Sequence, residues 1–139
     1  MIFEGACHCG ALTASFETRK TPDQIQVRAC QCAFCRRRSG KTVSDPEGRL
    51  RFQAAPGKLN RYRFATGTAD FLICRDCGGY VGVVQEIDGQ LYGVLNVAGT
   101  DIRALAERPS EPMDYDAETV QSRATRRQHV WSPAELTER

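Results

Sequence analysis

Apolar and polar residues alternate along much of the first hundred residues, with the period of two that is typical of half-buried β-strands. Between residues 24 and 29, for example, Ile25, Val27 and Ala29 alternate with polar side chains. Short β-prone runs, several of which alternate in this way, predict strands at residues 11–16, 24–29, 49–52, 59–64, 70–73, 80–87 and 91–97. The pattern therefore predicts an all-β core.

Turn residues separate these strands, and the pattern changes after Gly99. Asp88-Gly89 lies between two predicted strands and indicates a tight hairpin, because both residues tolerate positive φ. Residues 101–108 predict one or two helical turns ended by a proline, and Ser132-Pro133 begins a capping pattern for a short terminal helix. We expect a zinc-binding β core over residues 1–100 and a less regular extension of the same domain over 101–139.

Composition and charge narrow the class of protein. The 139 residues are 41% hydrophobic and 26% charged, which is typical of one globular domain. A net charge of +2 and a pI near 8.2 argue against a nucleic-acid partner. The chain has no apolar run of membrane-spanning length and no signal pattern at its start, so we expect no membrane association and a cytoplasmic location. In that reducing compartment the seven cysteines indicate metal binding rather than disulfides.

The cysteines fall into three groups, of which the first and last can share one metal ion. Cys74 and Cys77 are separated by two residues, so both sulfurs can face one ion, and glycines follow them. Zinc takes four ligands in a tetrahedron. Cys7 and Cys9 can supply the other two if their strand lies beside the hairpin that carries Cys74 and Cys77. Such a site would join the two ends of the β core and contribute folding free energy.

The middle group has a different composition. Cys30, Cys32 and Cys35 place three sulfurs within a few residues, and no further cysteine remains to complete the set. Three protein ligands and one open position are typical of a catalytic zinc. Arg28 and the arginines at 36–38 are close in sequence, and nearby guanidinium groups would favour thiolates and help to hold an anionic ligand.

Other interpretations of these residues stay open at the level of sequence. The cysteines could be buried as small apolar side chains, or hold iron and sulfur, although their spacing matches neither common ferredoxin pattern. His8 could complete either site or point away as a spacer, and His129 could be a fourth ligand or a base. The protein could also be a binding module that contacts nucleic acid through arginines 36–38, 123, 126 and 127, or a metal chaperone or sensor.

Three segments carry a resemblance to a known family. They are residues 5–11 (GACHCGA), residues 30–36 (CQCAFCR) followed by Ser39-Gly40, and residues 71–78 (FLICRDCG). In these segments, and in the order and spacing of all seven cysteines, the chain resembles the glutathione-dependent formaldehyde-activating enzyme family, which shares its domain with the centromere protein V group. The resemblance covers residues 3–100. It implies the Mss4-like fold, which is mainly β, with two packed antiparallel sheets pinned by zinc and short helical turns in the C-terminal part.

The resemblance also implies metal sites and an activity. It implies up to two zinc ions, a structural one on Cys7, Cys9, Cys74 and Cys77 and a catalytic one on Cys30, Cys32 and Cys35. The family joins formaldehyde to glutathione to give S-hydroxymethylglutathione and is classed as a carbon–sulfur lyase. The expected partner is therefore a small thiol or a thiol–aldehyde adduct such as that of glutathione. Gln31 stands where the family often has histidine, so we expect slow catalysis of the condensation itself.

Overall fold

The computed structural model describes residues 1–138, and 41% strand against 17% helix confirms the predicted mainly-β class. The strands are β1 (Ile2–Ala6), β2 (Leu12–Glu17), β3 (Arg28–Cys30), β4 (Thr42–Val43), β5 (Arg49–Ala54), β6 (Leu59–Tyr62), β7 (Asp70–Cys74), β8 (Tyr80–Ile87), β9 (Gln90–Asn96), β10 (Glu111–Met113) and β11 (Ser132–Glu138). The helices are α1 (Ala33–Arg37), α2 (Arg103–Ala106) and α3 (Val120–Val130). In this described range, no helix has the length and hydropathy needed to cross a membrane.

The strands form two packed sheets that are joined by the last strand. One sheet has the order β1-β2-β5-β11, and the other contains β6-β7-β8-β9 followed by β4, β3 and β10. Ser132 and Pro133 of β11 pair with β9, and its later residues pair with β5. The pairs β5–β11 and β3–β10 are parallel, so the sheets are mixed rather than wholly antiparallel. Parallel pairing needs a long crossover connection, which the intervening chain supplies in both cases.

The hydrophobic core lies between the facing sheets. Phe16, Leu50 and Phe52 come from the first sheet, and Leu72 and Leu95 from the second, and all are almost fully buried. At Gly82 of β8, a Cβ atom would lie 2.5 Å from the ring of Phe52. Glycine is therefore required at this point, where the ring of Phe52 packs against the backbone of β8.

Alternation of polar and apolar residues predicted the strands of this core well. Every predicted strand except that at 24–29 coincides with an observed one to within about two residues. The predicted hairpin joins β8 to β9, with φ of 51° at Asp88 and 79° at Gly89. In the exception, Pro22–Gln24 form a 3-10 turn and the strand begins only at Arg28.

The C-terminal part differs more from expectation. Residues 101–108 contain the predicted helical turn, α2. The helix predicted to begin at Ser132 is wrong, because this residue opens β11 and its buried hydroxyl accepts the N–H of Asp45 at 2.9 Å. The C-terminal helix lies earlier, where the Thr119 hydroxyl accepts the N–H of Ser122 and begins α3. The division of the chain near residue 100 stays a prediction.

Candidate metal centres

Four cysteines from the two ends of the β core meet at one point. Cys7 and Cys9 lie in the turn between β1 and β2, Cys74 ends β7, and Cys77 lies in the turn before β8. Their four Sγ atoms all lie within 4.8 Å of one another, with 3.8 Å from Cys7 to Cys9 and 3.5 Å from Cys9 to Cys74. A tetrahedral zinc with thiolate ligands places its sulfurs about 3.8 Å apart. The four side chains therefore fit such an ion, and we call them the four-cysteine centre.

The backbone around the four-cysteine centre is arranged to support thiolates. The N–H of Leu12 donates to Cys7 Sγ at 3.3 Å, and the N–H of Cys77 donates to Cys74 Sγ at 3.5 Å. The backbone of Cys9, and to a smaller extent that of Gly79, forms hydrogen bonds with the Cys77 sulfur and lowers the pKa of Cys77 to about 6. A Cβ atom at Gly79 would lie 3.0 Å from that of Cys7, so glycine allows the two turns to meet.

The other three cysteines form a separate group, the three-cysteine centre, within one short strand–helix turn. Cys30 ends β3, Cys32 precedes α1, and Cys35 lies inside α1. The backbone N–H of Cys35 donates to Cys32 Sγ at 3.4 Å. The three Sγ atoms also lie within 4.8 Å of one another. Among residues 1–138, no histidine, carboxylate or further cysteine joins this group. The donor set fits a thiophilic ion such as zinc with one position left for another ligand.

Hydrogen bonding within the three-cysteine centre divides its protons unequally. The Cys35 thiol bonds to Cys30 and lowers the pKa of Cys30 to about 6, and the same bond raises the pKa of Cys35. The pKa of Tyr80 is also raised, first by burial and then by the charge of Cys35, so its hydroxyl stays neutral beside the sulfurs. Without metal, the centre therefore holds one ready thiolate and one protected thiol.

The three-cysteine centre opens onto a cavity, which is its main difference from the four-cysteine centre. The cavity measures about 360 Å³ and borders Cys30 and Cys32. Its other walls are Phe64, Ala65, Thr66, Ala69, Phe71, Tyr115, Asp116, Glu118, Arg123, Arg126 and Arg127. A recess of about 70 Å³ continues past Cys30 to Cys35, Arg28 and Trp131. A small molecule in the cavity can therefore reach the sulfurs directly.

The basic residues at the cavity differ in part from those that sequence proximity suggested. Arg28 is buried and borders the recess, as its position in the sequence suggested. The arginines at 36–38 are exposed: Nε of Arg36 donates to the Gln31 carbonyl, and Arg38 stacks on the ring of Phe34 at 3.9 Å. None of these three borders this cavity, but Arg37 and Arg38 line a second one, of about 670 Å³, that also borders Cys32.

Three arginines of α3 line the cavity instead, at positions 123, 126 and 127. Arg123 and Arg126 pair with Glu118, at 3.3 and 2.7 Å, and Arg126 also stacks on the ring of Tyr115 at 3.8 Å. From the sequence, these arginines were candidates only for nucleic-acid contacts. Their i, i+3, i+4 spacing shows that they share a helix face, and it is the signal that could have grouped them.

The histidines and Gln31 do not contribute side chains to either centre. His8 is exposed and lies outside both cysteine groups. His129 is exposed, and its Nδ1 lies 2.7 Å from the Thr125 carbonyl oxygen, away from the cavity. The Gln31 amide donates to the Ala29 carbonyl at 2.8 Å. Within residues 1–138, therefore, no histidine is placed as a ligand or as a base in the cavity.

Comparison with known proteins identifies one matching family model and one similar solved structure. The family model, described as glutathione-dependent formaldehyde-activating enzyme, matches residues 2–111. A crystal structure of a Rhodobacter sphaeroides protein is 24% identical in sequence, with 98% of this chain and 99% of that chain covered and a TM-score of 0.49. The family match includes all seven cysteines and ends before the part of the cavity wall formed by α3.

Proposed function

Since the chain belongs to the glutathione-dependent formaldehyde-activating enzyme family, we propose that it is a zinc-dependent protein of the carbon–sulfur lyase type. It acts on an S-hydroxymethyl thiol, such as the glutathione adduct, at the three-cysteine centre. The cavity of about 360 Å³ against Cys30 and Cys32 is the observation that carries this proposal. The chain binds up to two zinc ions, a catalytic one on Cys30, Cys32 and Cys35 and a structural one on Cys7, Cys9, Cys74 and Cys77.

The zinc ion and the protein's own residues would make different contributions to the reaction. When bound, zinc would supply Lewis acidity and a soft position for the substrate sulfur. The carbon–sulfur bond breaks with its electron pair on sulfur, the hydroxyl oxygen becomes the carbonyl of formaldehyde, and the proton lost from the hydroxyl neutralises the thiolate to give the thiol. Phe64 and Phe71 exclude water from one side of the cavity, and Arg126 stabilises negative charge near Cys30.

Proton transfer is the weak step in this arrangement. No histidine borders the cavity within the described residues, and the Gln31 amide is held by the Ala29 carbonyl. A glutamine cannot exchange a proton as histidine can. Formaldehyde and thiols also combine without a catalyst. The protein is therefore a poor catalyst of the formaldehyde–glutathione condensation, although it binds the thiol or its adduct.

The test separates binding from catalysis. Calorimetry on the zinc-loaded protein measures the affinity for small thiols, and exchange NMR of formaldehyde with glutathione measures turnover, with Cys32→Ser as control. We expect thiol binding that the variant loses, and little acceleration. A clear acceleration that the variant abolishes would contradict slow turnover. Absence of binding for every thiol tested would overturn the enzyme proposal.

The alternative of a nucleic-acid-binding module has weaker support. Arg123 and Arg126 are paired with Glu118 beside the cavity rather than presented to solvent. The module would show salt-sensitive binding to nonspecific DNA. A cytoplasmic location belongs to the proposal as well, because a reducing compartment keeps these cysteines available for metal.

A further inference from the structure

Two arginines at the cavity and its recess are buried without a carboxylate partner. Arg127 is 8% exposed and Arg28 is 7% exposed. The ion pairs found among residues 1–138 involve other basic residues, including Arg123 and Arg126. A buried guanidinium is costly unless an anion compensates its charge. In both cases the hydrogen-bond partners of the guanidinium among the described residues are neutral.

Arg127 is fixed in place by groups that leave its charge unmatched. Its Nη1 donates to Oε1 of Gln85 at 2.6 Å and lies 3.5 Å from Oγ1 of Thr68, and the guanidinium faces the Trp131 ring at 4.6 Å. Its Nε is buried and has no acceptor among residues 1–138. Burial lowers the pKa of Arg127 to about 10, so the group still carries its positive charge at neutral pH. The side chain is thus an oriented cation. Both of its hydrogen bonds among residues 1–138 come from Nη1 and its Nε is enclosed, so Nη2 is the donor left for a ligand.

The charges around the cavity and its recess do not balance within the protein. Four arginines border them, at positions 28, 123, 126 and 127, against two carboxylates, Asp116 and Glu118. A zinc ion with three thiolates carries about −1. One positive charge therefore remains before a ligand binds. A ligand thiolate alone would balance it, so the case for a carboxylate rests on Arg127, whose hydrogen-bond partners are neutral. Arg28 contributes to this excess because its hydrogen-bond acceptor, Ser44 Oγ at 2.6 Å, is a neutral hydroxyl.

We propose that the cavity selects thiols that carry a carboxylate, with the carboxylate bound by Arg127 and the sulfur directed to the three-cysteine centre. The substrate class is thus a mercaptocarboxylate, or its S-hydroxymethyl adduct, with the two groups close enough to fit one small cavity. Arginine suits this role because its fixed donors match the two oxygens of a carboxylate. The position of the sulfur rests on the function proposed above, whereas the anion site does not.

Matched pairs of ligands test the selection on the unaltered protein. The affinity of zinc-loaded protein for mercaptoacetate is compared with that for 2-mercaptoacetamide, its neutral counterpart, by calorimetry. The pair 3-mercaptopropionate and 3-mercaptopropionamide varies the distance between sulfur and carboxylate. We expect the acid to bind about tenfold or more tightly than the amide in at least one pair. Equal affinities in both pairs would overturn the proposal.

Variants of Arg127 assign the effect to one side chain. In Arg127→Met the acid-to-amide ratio should fall to about one, whereas Arg127→Lys should keep part of it because the charge remains. Arg19→Met, at an exposed position that borders neither this cavity nor the one beside Cys32, is the matched control and should keep the full ratio. An unchanged ratio in Arg127→Met would overturn the proposal. If Arg127→Met does not fold, an unchanged acid-to-amide ratio in Arg127→Lys would overturn the proposal.

Two further measurements separate this proposal from the function on which it partly rests. In cobalt-substituted protein, the thiolate-to-metal absorption band reports sulfur binding independently of any activity. Acetate, which has no sulfur, reports the anion site alone. If no thiol changes the cobalt band but acetate binds and Arg127→Met loses it, the anion site is supported and the proposed function is overturned. If thiols change the band without preference for a carboxylate, the anion site is overturned instead.

Discussion

The two cysteine centres use the same ligand atom but differ in what they join and what surrounds them. The four-cysteine centre links turns at opposite ends of the β core, and Cys9 and Cys74, whose sulfurs are 3.5 Å apart, are separated by 65 positions in sequence. The three-cysteine centre lies within one strand–helix turn and faces a cavity of about 360 Å³. One centre closes a long loop, and the other presents sulfurs to a space that a ligand can enter.

This difference teaches how one kind of ligand can serve two roles. Closing a long loop removes more conformational entropy from the unfolded chain than closing a short one, so a metal in the four-cysteine centre would stabilise the fold strongly. A metal in the three-cysteine centre would restrain only a few residues that β3 and α1 already hold. Its loss should therefore cost function and little stability.

The largest expected effect comes from removing one ligand from each centre. Cys77→Ser should give insoluble protein or lower the free energy of unfolding by at least about 3 kcal/mol, because the long-range link is lost. Cys32→Ser should stay folded, with a change below about 1 kcal/mol. Soluble yield and denaturant melts compare the two variants. Equal losses in both would show that the three-cysteine centre is also structural.

Metal release should distinguish the centres next. We expect more than one equivalent of zinc per chain after purification without chelator. A chelator that changes colour on binding zinc should remove the zinc of the three-cysteine centre rapidly, through the cavity. It should remove the zinc of the four-cysteine centre only as the protein unfolds. The control is Cys32→Ser, which should lack the rapidly released zinc. Iron with acid-labile sulfide, or release in a single phase, would contradict the two-centre account.

A smaller effect is expected when one methyl group is added near each centre. In Gly79→Ala the new Cβ would lie 3.0 Å from Cys7 Cβ and 3.3 Å from Cys77 Sγ, so we expect a loss of about 1–3 kcal/mol. In Gly40→Ala it would lie 3.3 Å from the Tyr80 ring and 3.8 Å from Cys35 Cβ, and the loss should be smaller. Thermal melts of both zinc-loaded variants provide the measurement. A greater loss in Gly40→Ala would reverse the ranking of the centres.

The smallest effect concerns thiol reactivity after removal of the rapidly released metal. With its pKa lowered to about 6 by the Cys35 thiol, Cys30 is a thiolate at pH 7 and becomes protonated as pH falls below that value. Iodoacetamide should therefore modify Cys30 much faster than Cys35, whose pKa is raised. Peptide mapping across pH 5–8 follows the rate at each residue. Equal rates at Cys30 and Cys35 would argue against the unequal sharing of protons.

Local sequence patterns were sufficient for the β core and for grouping the cysteines. Strand alternation depends on which face each side chain presents, so β2 and β5 were predictable from their own residues. The Asp88-Gly89 hairpin followed from backbone conformation alone. Cysteine spacing likewise separated the four-residue and three-residue groups that the structure brings together.

The C-terminal elements depended on partners that are distant in sequence. β11 exists because β5 and β9 pair with it, and these contacts overrode the local helix-start pattern at Ser132. α3 has few apolar residues, so periodicity gave little sign of it. Arg127 and Cys30 line the same cavity although they are far apart in sequence. No local rule relates such distant residues, so their proximity could not be predicted without the path of the whole chain.

The separation between the cysteines and the cavity wall also has an evolutionary meaning. Every cysteine of the two candidate metal centres lies before residue 78, whereas α3, which supplies three of the arginines at the cavity, begins only at Val120. Substitutions in this late segment can change which molecule is recognised while the chemistry at the sulfurs is inherited unaltered. Homologues with identical cysteine motifs can thus diverge in substrate. Their specificity should be inferred from the helix that follows the motifs, rather than from the motifs themselves.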